Sequence, residues 1–265
     1  MITLFQTLGI EPAHFFKAAF EVSCISFFLI CFAHSWMFNG SHRTLREFSA
    51  GFFLTFACES LGVLSGAYVY PGFYLYLFVV PVANPASWVA LVYVIIGFSN
   101  RLVYGRRALD ANFILPSNRL LQTVLLMAAL DASLALGIDL VMDPLATIFN
   151  WWIWVPLGEG VNSVVTGVVE PYNFKHWTFL TTPETPVYQF FSGFFVDGNR
   201  YPSRVLGIPL INFISWFVFV FVFASQCRGV ESQRHWSEAK KTLVLWMVVL
   251  VDVPVLVMTL IPPNL

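Results

Sequence analysis

Residues 205–226 read VLGIPLINFISWFVFVFVFASQ, without one charged side chain. That is the length, roughly 20 residues, at which an α-helix crosses a hydrocarbon layer of about 30 Å. Lipid offers no hydrogen-bond partners, so a spanning backbone must satisfy itself as a helix or a closed barrel. The run is continuously apolar rather than alternating, which selects the helix. Comparable runs at 17–38, 48–68, 74–97, 119–141 and 242–261 bring the expected crossings to six. The expected fold class is all-α: a polytopic integral membrane helical bundle of about six transmembrane helices, forming one domain over residues 1–265.

Composition agrees. Hydrophobic residues make up 58% of the chain and charged ones 11%, with 28 phenylalanines, whereas soluble domains carry about 25% charged residues. Residues 1–14 have neither a basic n-region nor a small-residue cleavage site, so the first apolar run reads as a span and not as a removable signal. A net charge of -1 gives no electrostatic case for a nucleic-acid partner. Cys24, Cys31, Cys58 and Cys227 include no C-x-x-C pair, and they read as buried small apolar residues rather than zinc ligands or a disulfide framework. The five histidines are scattered, with no pair at metal-ligand spacing inside a span, which argues against a di-iron oxygenase. No lysine at membrane depth offers a Schiff base, and no Gly-rich phosphate loop is present. Neither a metal nor another cofactor is expected.

The basic residues of the connections alternate. Arg43 and Arg46 fall in the first, Arg101, Arg106 and Arg107 in the third, and Arg228, Arg234, Lys240 and Lys241 in the fifth. The second has none, and the long fourth, 142–204, has only Lys175, Arg200 and Arg204. By the positive-inside rule the odd connections face the cytoplasm and both termini the other side. A structureless connection as long as 142–204 is unusual. Trp151, Trp152 and Trp154 suit the headgroup level and 187–196 is apolar but too short to cross, so interfacial or re-entrant segments are expected there. The sequon Asn39-Gly40-Ser41 lies on the cytoplasmic side of this topology, where glycosylation is not expected.

Ionisable residues at membrane depth cost about 2.5–3.5 kcal/mol on insertion scales, so each calls for a partner or a purpose. Glu59 lies near the middle of the second span and shares a helix face with Gly62 and Gly66, a small-residue pattern that marks close helix packing. It points into the bundle, either as an acid or as a protonated packing residue. Asp139 and Asp143 stand one turn apart on one face, and Pro144 is expected to close their helix. Two carboxyls that close split their proton affinities, which suits acid chemistry. The plainer alternative is that Asp143 caps a turn and Asp139 meets headgroups. Asp131 and Asp252 have no polar partner nearby in sequence and read as structural, while Lys17 and Glu21, at i and i+4, are spaced to pair. Tyr68, Tyr70, Tyr74, Trp88, Trp152, Trp154 and Trp216 form an aromatic belt, and some of their faces are able to stabilise a carbocation.

In chain order, Glu59-Ser-Leu-Gly62, Gly66-Ala-Tyr68-Val-Tyr70, Pro81 to Trp88, Asp139-Leu-Val-Met-Asp143-Pro144, Trp152-Ile-Trp154 and Gly207-Ile-Pro-Leu-Ile-Asn212-Phe-Ile-Ser-Trp216 resemble the carotenoid biosynthesis membrane protein family that includes the carotenoid 1,2-hydratases. The most specific parts are the D-x-x-x-D-P and G-I-P-L-x-N-F-x-x-W elements. The chain departs from the family in a long insertion between Trp154 and Gly207 and in Val79-Val-Pro-Val-Ala-Asn-Pro85. The resemblance implies cofactor-free addition of water to the terminal double bond of an acyclic carotenoid or related isoprenoid, a lipid-soluble partner. It implies Asp139 or Glu59 as proton donor, Asp143 and Asn212 as orienters of water, and Tyr68, Trp152 and Trp154 beside the cation, with Tyr70, Trp88 and Trp216 also in contact with substrate. The same cation captured by an internal double bond would make a terpene or carotenoid cyclase. A small proton-coupled transporter is the alternative of another class, against which stands the lack of a convincing internal repeat or paired broken helices.

Overall fold

The computed structural model describes residues 12–64, 68–109, 113, 115, 119–149, 151–154, 204–205 and 208–260. Six α-helices run through them: α1 Pro12–Asn39, α2 Ser41–Leu64, α3 Ala83–Tyr104, α4 Leu120–Ile148, α5 Leu210–Glu231 and α6 Glu238–Leu260. A 3₁₀ turn, Gly105–Leu109, follows α3. Five helices are long and apolar enough to cross a membrane: 15–39, 41–64, 83–108, 120–147 and 212–231. Five of the six expected crossings meet this measure within the described residues. The sixth helix, α6, is not counted with them, because its described residues include Glu238, Lys240, Lys241 and Asp252.

The packing follows the residue sizes. α4 lies along α5, α1 against α3, and α2 against both α3 and α6. Ala50, Leu54, Val92, Ala132, Phe219 and Val220 are buried together where α2, α3, α4 and α5 meet. A Cβ at Gly51 would come within 2.8 Å of the Phe223 ring and 3.2 Å of Val89, so only glycine lets α2 approach its neighbours this closely. Outward-facing Leu29, Ile30, Leu121 and Leu126 are exposed, an apolar surface that water would not tolerate and lipid would cover.

Several helix ends differ from the expected spans, each for a physical reason. The first connection shrinks to Gly40, whose φ of 79° makes the turn between α1 and α2. Arg43 and Arg46 therefore belong to α2, where acidic partners neutralise them. The third span begins at Ala83 and not at residue 74. The stretch before it folds as a hairpin, β2 Tyr76–Leu77 paired antiparallel with β3 Val80–Pro81. The Glu21 carboxylate holds this hairpin by accepting the backbone N–H groups of Tyr74 (3.0 Å) and Leu75 (2.7 Å), while Lys17 Nζ donates to the Pro71 carbonyl. Pro144 does not close its helix: α4 continues to Ile148, the Thr147 hydroxyl donating to the Asp143 carbonyl at 3.1 Å. Proline removes only its own N–H, so the ladder loses the bond to the Leu140 carbonyl and resumes beyond it. Residues 142–148 thus belong to α4 and not to the fourth connection, most of whose remainder lies outside the described residues, including the apolar stretch 187–196.

Two more short antiparallel pairs tie the ends of the helices. β1 Tyr68–Val69, after α2, pairs with β4 Ile153–Trp154, after α4. β5 Arg204–Val205 pairs with β6 Ile208–Pro209, which leads directly into α5.

Candidate functional site

The C-terminal parts of α2 and α4 and the N-terminal parts of α3 and α5 surround a cavity of about 260 Å³. Glu59 enters from α2, Asp139 and Asp143 from α4, and Asn212 from α5, and all four also line that cavity. Each is nearly inaccessible, between 3% and 8% exposed. Tyr68, Tyr70, Trp88, Trp152 and Trp216 complete much of the wall. The side chain of Trp154 lies outside the described residues. Among the described residues, no lysine, arginine or histidine lines the cavity.

Two hydrogen-bonded groups can be distinguished. In the first, Tyr68 donates to Glu59 Oε2 at 2.7 Å and Tyr70 donates to the same oxygen. Burial and the neighbouring Glu59 carboxylate push the Tyr70 phenol well above its ordinary value, so it remains an O–H donor. Tyr68 reaches Glu59 across Gly62, where a Cβ would fall 2.2 Å from the tyrosine oxygen. The glycine on the Glu59 face thus admits an aromatic ring and not a neighbouring helix. Gly66 is outside the described residues. In the second group the Asn212 amide donates to Asp139 Oδ2 at 3.2 Å and to Asp143 Oδ2. The i, i+4 spacing of the two aspartates puts them on one face of α4, and α5, packed along α4, carries Asn212 to them.

The aromatic wall is ordered by stacking. Trp88 from α3 and Trp216 from α5 lie 3.7 Å apart between ring centroids and 11° from parallel. Tyr70 stands edge-on to both Tyr68 and Trp152, at 5.5 and 6.2 Å. These rings give the carboxyls a dry, polarizable surround.

Asn84 is a member of the site that the sequence reading did not single out. Its Nδ2 donates to the Tyr70 oxygen at 2.6 Å, and it lines the same cavity. Its place in an otherwise apolar stretch, between Ala83 and Pro85, is the available sequence signal.

Apart from Lys17 and Glu21, which bind hairpin backbone, several other buried or half-buried acids meet polar partners contributed by other helices. Asp131 accepts two hydrogen bonds from Arg228, at 2.7 and 2.9 Å, and one from Ser99 at 2.5 Å. Its partner is 97 residues away in sequence, which is why it looked solitary there. Arg46, fully buried, donates to Glu231 and, at 2.8 Å, to Glu238. Gln226 donates to Asp252 at 2.5 Å.

No protein-family model, curated protein or solved structure matches this chain.

Proposed function

We propose that the chain is a membrane enzyme that adds water, without a cofactor, to the terminal double bond of an acyclic carotenoid or related isoprenoid. The observation that carries the reading is the convergence of three carboxyl groups, Glu59, Asp139 and Asp143, on one aromatic-walled cavity in which, among the described residues, they face neutral donors and no cation. The motif resemblance points the same way. A cavity of about 260 Å³ falls below the roughly 300–1,000 Å³ of pockets that enclose whole drug-sized ligands. It suits the end of a long chain whose remainder lies in lipid.

In this reading a protonated carboxyl, Asp139 or Glu59, gives its proton to the less substituted carbon of the terminal alkene, and the more substituted carbon becomes a tertiary cation. The faces of Tyr68, Trp88, Trp152 and Trp216 stabilise that charge. A water molecule adds through its oxygen and passes a proton to a carboxylate of the cavity, so one water is consumed and the acid is restored. Desolvation by the aromatic wall strengthens each of these electrostatic interactions. With α6 as a sixth crossing, exposed Arg101, Arg106, Arg107, Arg234 and Lys240 mark the cytoplasmic end. Both termini and the carboxyl cavity then lie toward the opposite side.

The test is mass spectrometry of pigments from a lycopene-producing host that expresses the chain, grown with and without ¹⁸O-labelled water, beside Asp139→Asn. Hydration adds one labelled water per modified end, and the variant abolishes it. An isomer of unchanged mass would replace hydration by cyclisation. Unaltered pigment in the presence of folded protein would remove carotenoids as the substrate.

A further inference from the structure

An asparagine near the start of a helix ordinarily spends its side chain on capping. Asn84 does not: Val82 occupies the N-cap of α3 without a side-chain cap bond, and the Asn84 amide lines the cavity. The local network fixes which way this amide points. Tyr70 has one hydroxyl proton and donates it to Glu59. Its oxygen can therefore only accept from Asn84, and the group 2.6 Å away is Nδ2. Oδ1 is consequently turned away from Tyr70. The Asn84 side chain is 4% exposed, and its Oδ1 is buried with no hydrogen-bond partner among the described residues. An unmatched carbonyl oxygen in a dry wall is costly to keep unless a donor arrives to occupy it.

We propose that Asn84 Oδ1 holds the water that adds to the substrate cation. The inference rests on the hydration reading above and assigns the water to Asn84 of α3, not to Asp143 and Asn212. Water suits this acceptor by chemistry, since the substrate hydrocarbon has no donor and Glu59, Tyr68 and Tyr70 are already engaged with one another. Asn84 accepts one O–H of the water and so orients a lone pair toward the cation. The Nδ2–Tyr70–Glu59 chain keeps the amide from rotating.

The experiment separates forming the cation from capturing it. Membranes of a lycopene-producing host carrying the full chain are incubated in D₂O, and two quantities are read by mass spectrometry: hydrated product, and deuterium on carbon in recovered lycopene. Deuterium enters when the alkene is protonated and the cation then loses a proton without meeting water. Asn84→Leu keeps the volume and removes the acceptor. The expected result is a fall in hydrated product of about tenfold, the cost of one buried hydrogen bond, with deuterium exchange retained. Asn84→Ser, which restores an acceptor, should recover part of the hydration. Wild-type hydration in Asn84→Leu would overturn the assignment. So would equal losses of hydration and exchange in a variant that melts like the wild type, because Asn84 would then act on the acid. If the leucine variant does not fold, the hydration-to-exchange ratio of Asn84→Ala decides in its place, a lowered ratio supporting the assignment and an unchanged one overturning it. A wild-type protein that neither hydrates lycopene nor exchanges its protons would overturn the underlying reading, and the inference with it.

Discussion

The two ends of the bundle handle buried charge in opposite ways. Toward the N-terminal end of α2 and the C-terminal end of α5, carboxylates meet cations: Asp131 with Arg228, Glu231 and Glu238 with Arg46, and Glu47 with Arg43 at 2.9 Å. At the other end Glu59, Asp139 and Asp143 meet phenol hydroxyls and an amide. α2 carries one example of each, Arg46 and Glu59, thirteen residues or about 20 Å apart along its axis. A buried ion pair whose charges cancel has no proton to exchange and serves to align helices. Among the described residues, the carboxyls at the other end are held by neutral donors and face no cation. The first arrangement is structural, and the second is the one on which the proposed hydration rests.

Neutralising an acid at one end and removing a cation at the other is the sharpest way to break this comparison. Asp139→Asn and Glu59→Gln should each lower hydration by about 10²–10⁴-fold, the range supplied by a general acid or base, while detergent-solubilised protein melts nearly as the wild type does. A comparable loss of stability would move these residues to the structural class. Arg228→Met should do the reverse. It strands Asp131 without its cation, at a cost of about 3–5 kcal/mol. The double variant Asp131→Leu/Arg228→Met should regain most of that, and thermal melting of both proteins checks it. Equal melting of the single and double variants would show that the pair does not hold α4 to α5.

A smaller effect tests the neutral end. In Gly62→Ala the new methyl group collides with the Tyr68 oxygen, so the Tyr68–Glu59 bond is lost. Activity should fall about tenfold, as in Tyr68→Phe. Combining the two should cost little more, since residues sharing one interaction are not additive. Additive losses would separate Gly62 from Tyr68. The smallest effect belongs to the paired end. The hydrogen bond from Arg46 holds the Glu238 carboxyl below the usual carboxylate range. A depressed folded value means that the stabilisation is complete above the ordinary glutamate value and disappears as pH falls through the folded one. Wild-type melting should therefore converge on that of Glu238→Gln as the buffer is acidified below about pH 4.5. A difference that persists to pH 3 would assign the effect to packing.

The sequence reading and the structure part at particular residues. Pro144 is a helix breaker by local rules, yet α4 passes through it to Ile148, because proline removes only the one bond to the Leu140 carbonyl. Residues 74–82 are apolar enough for a span, yet they form a hairpin, because Glu21 of α1 binds their backbone. Arg43 and Arg46 resemble loop residues until Glu47, Glu231 and Glu238 are brought beside them. In the last two cases a side chain from another helix overrides a local preference.

By itself the sequence determined the solvent and the backbone: uncharged runs of this length are stable only as helices in lipid, whatever they pack against. It also determined that Asp139 and Asp143 share a face, since i, i+4 spacing suffices for that. Which buried acids are paired and which stay unpaired was decided only by tertiary structure. Asp131 and Asp139 sit eight residues apart on one helix, and only the packing of α5 brings Arg228 to the first and Asn212 to the second. Electrostatic partnership falls off with distance in space and not along the chain. Asn84 is the same lesson in a neutral group, since its oxygen is left without a partner among the described residues once Tyr70 gives its proton to Glu59.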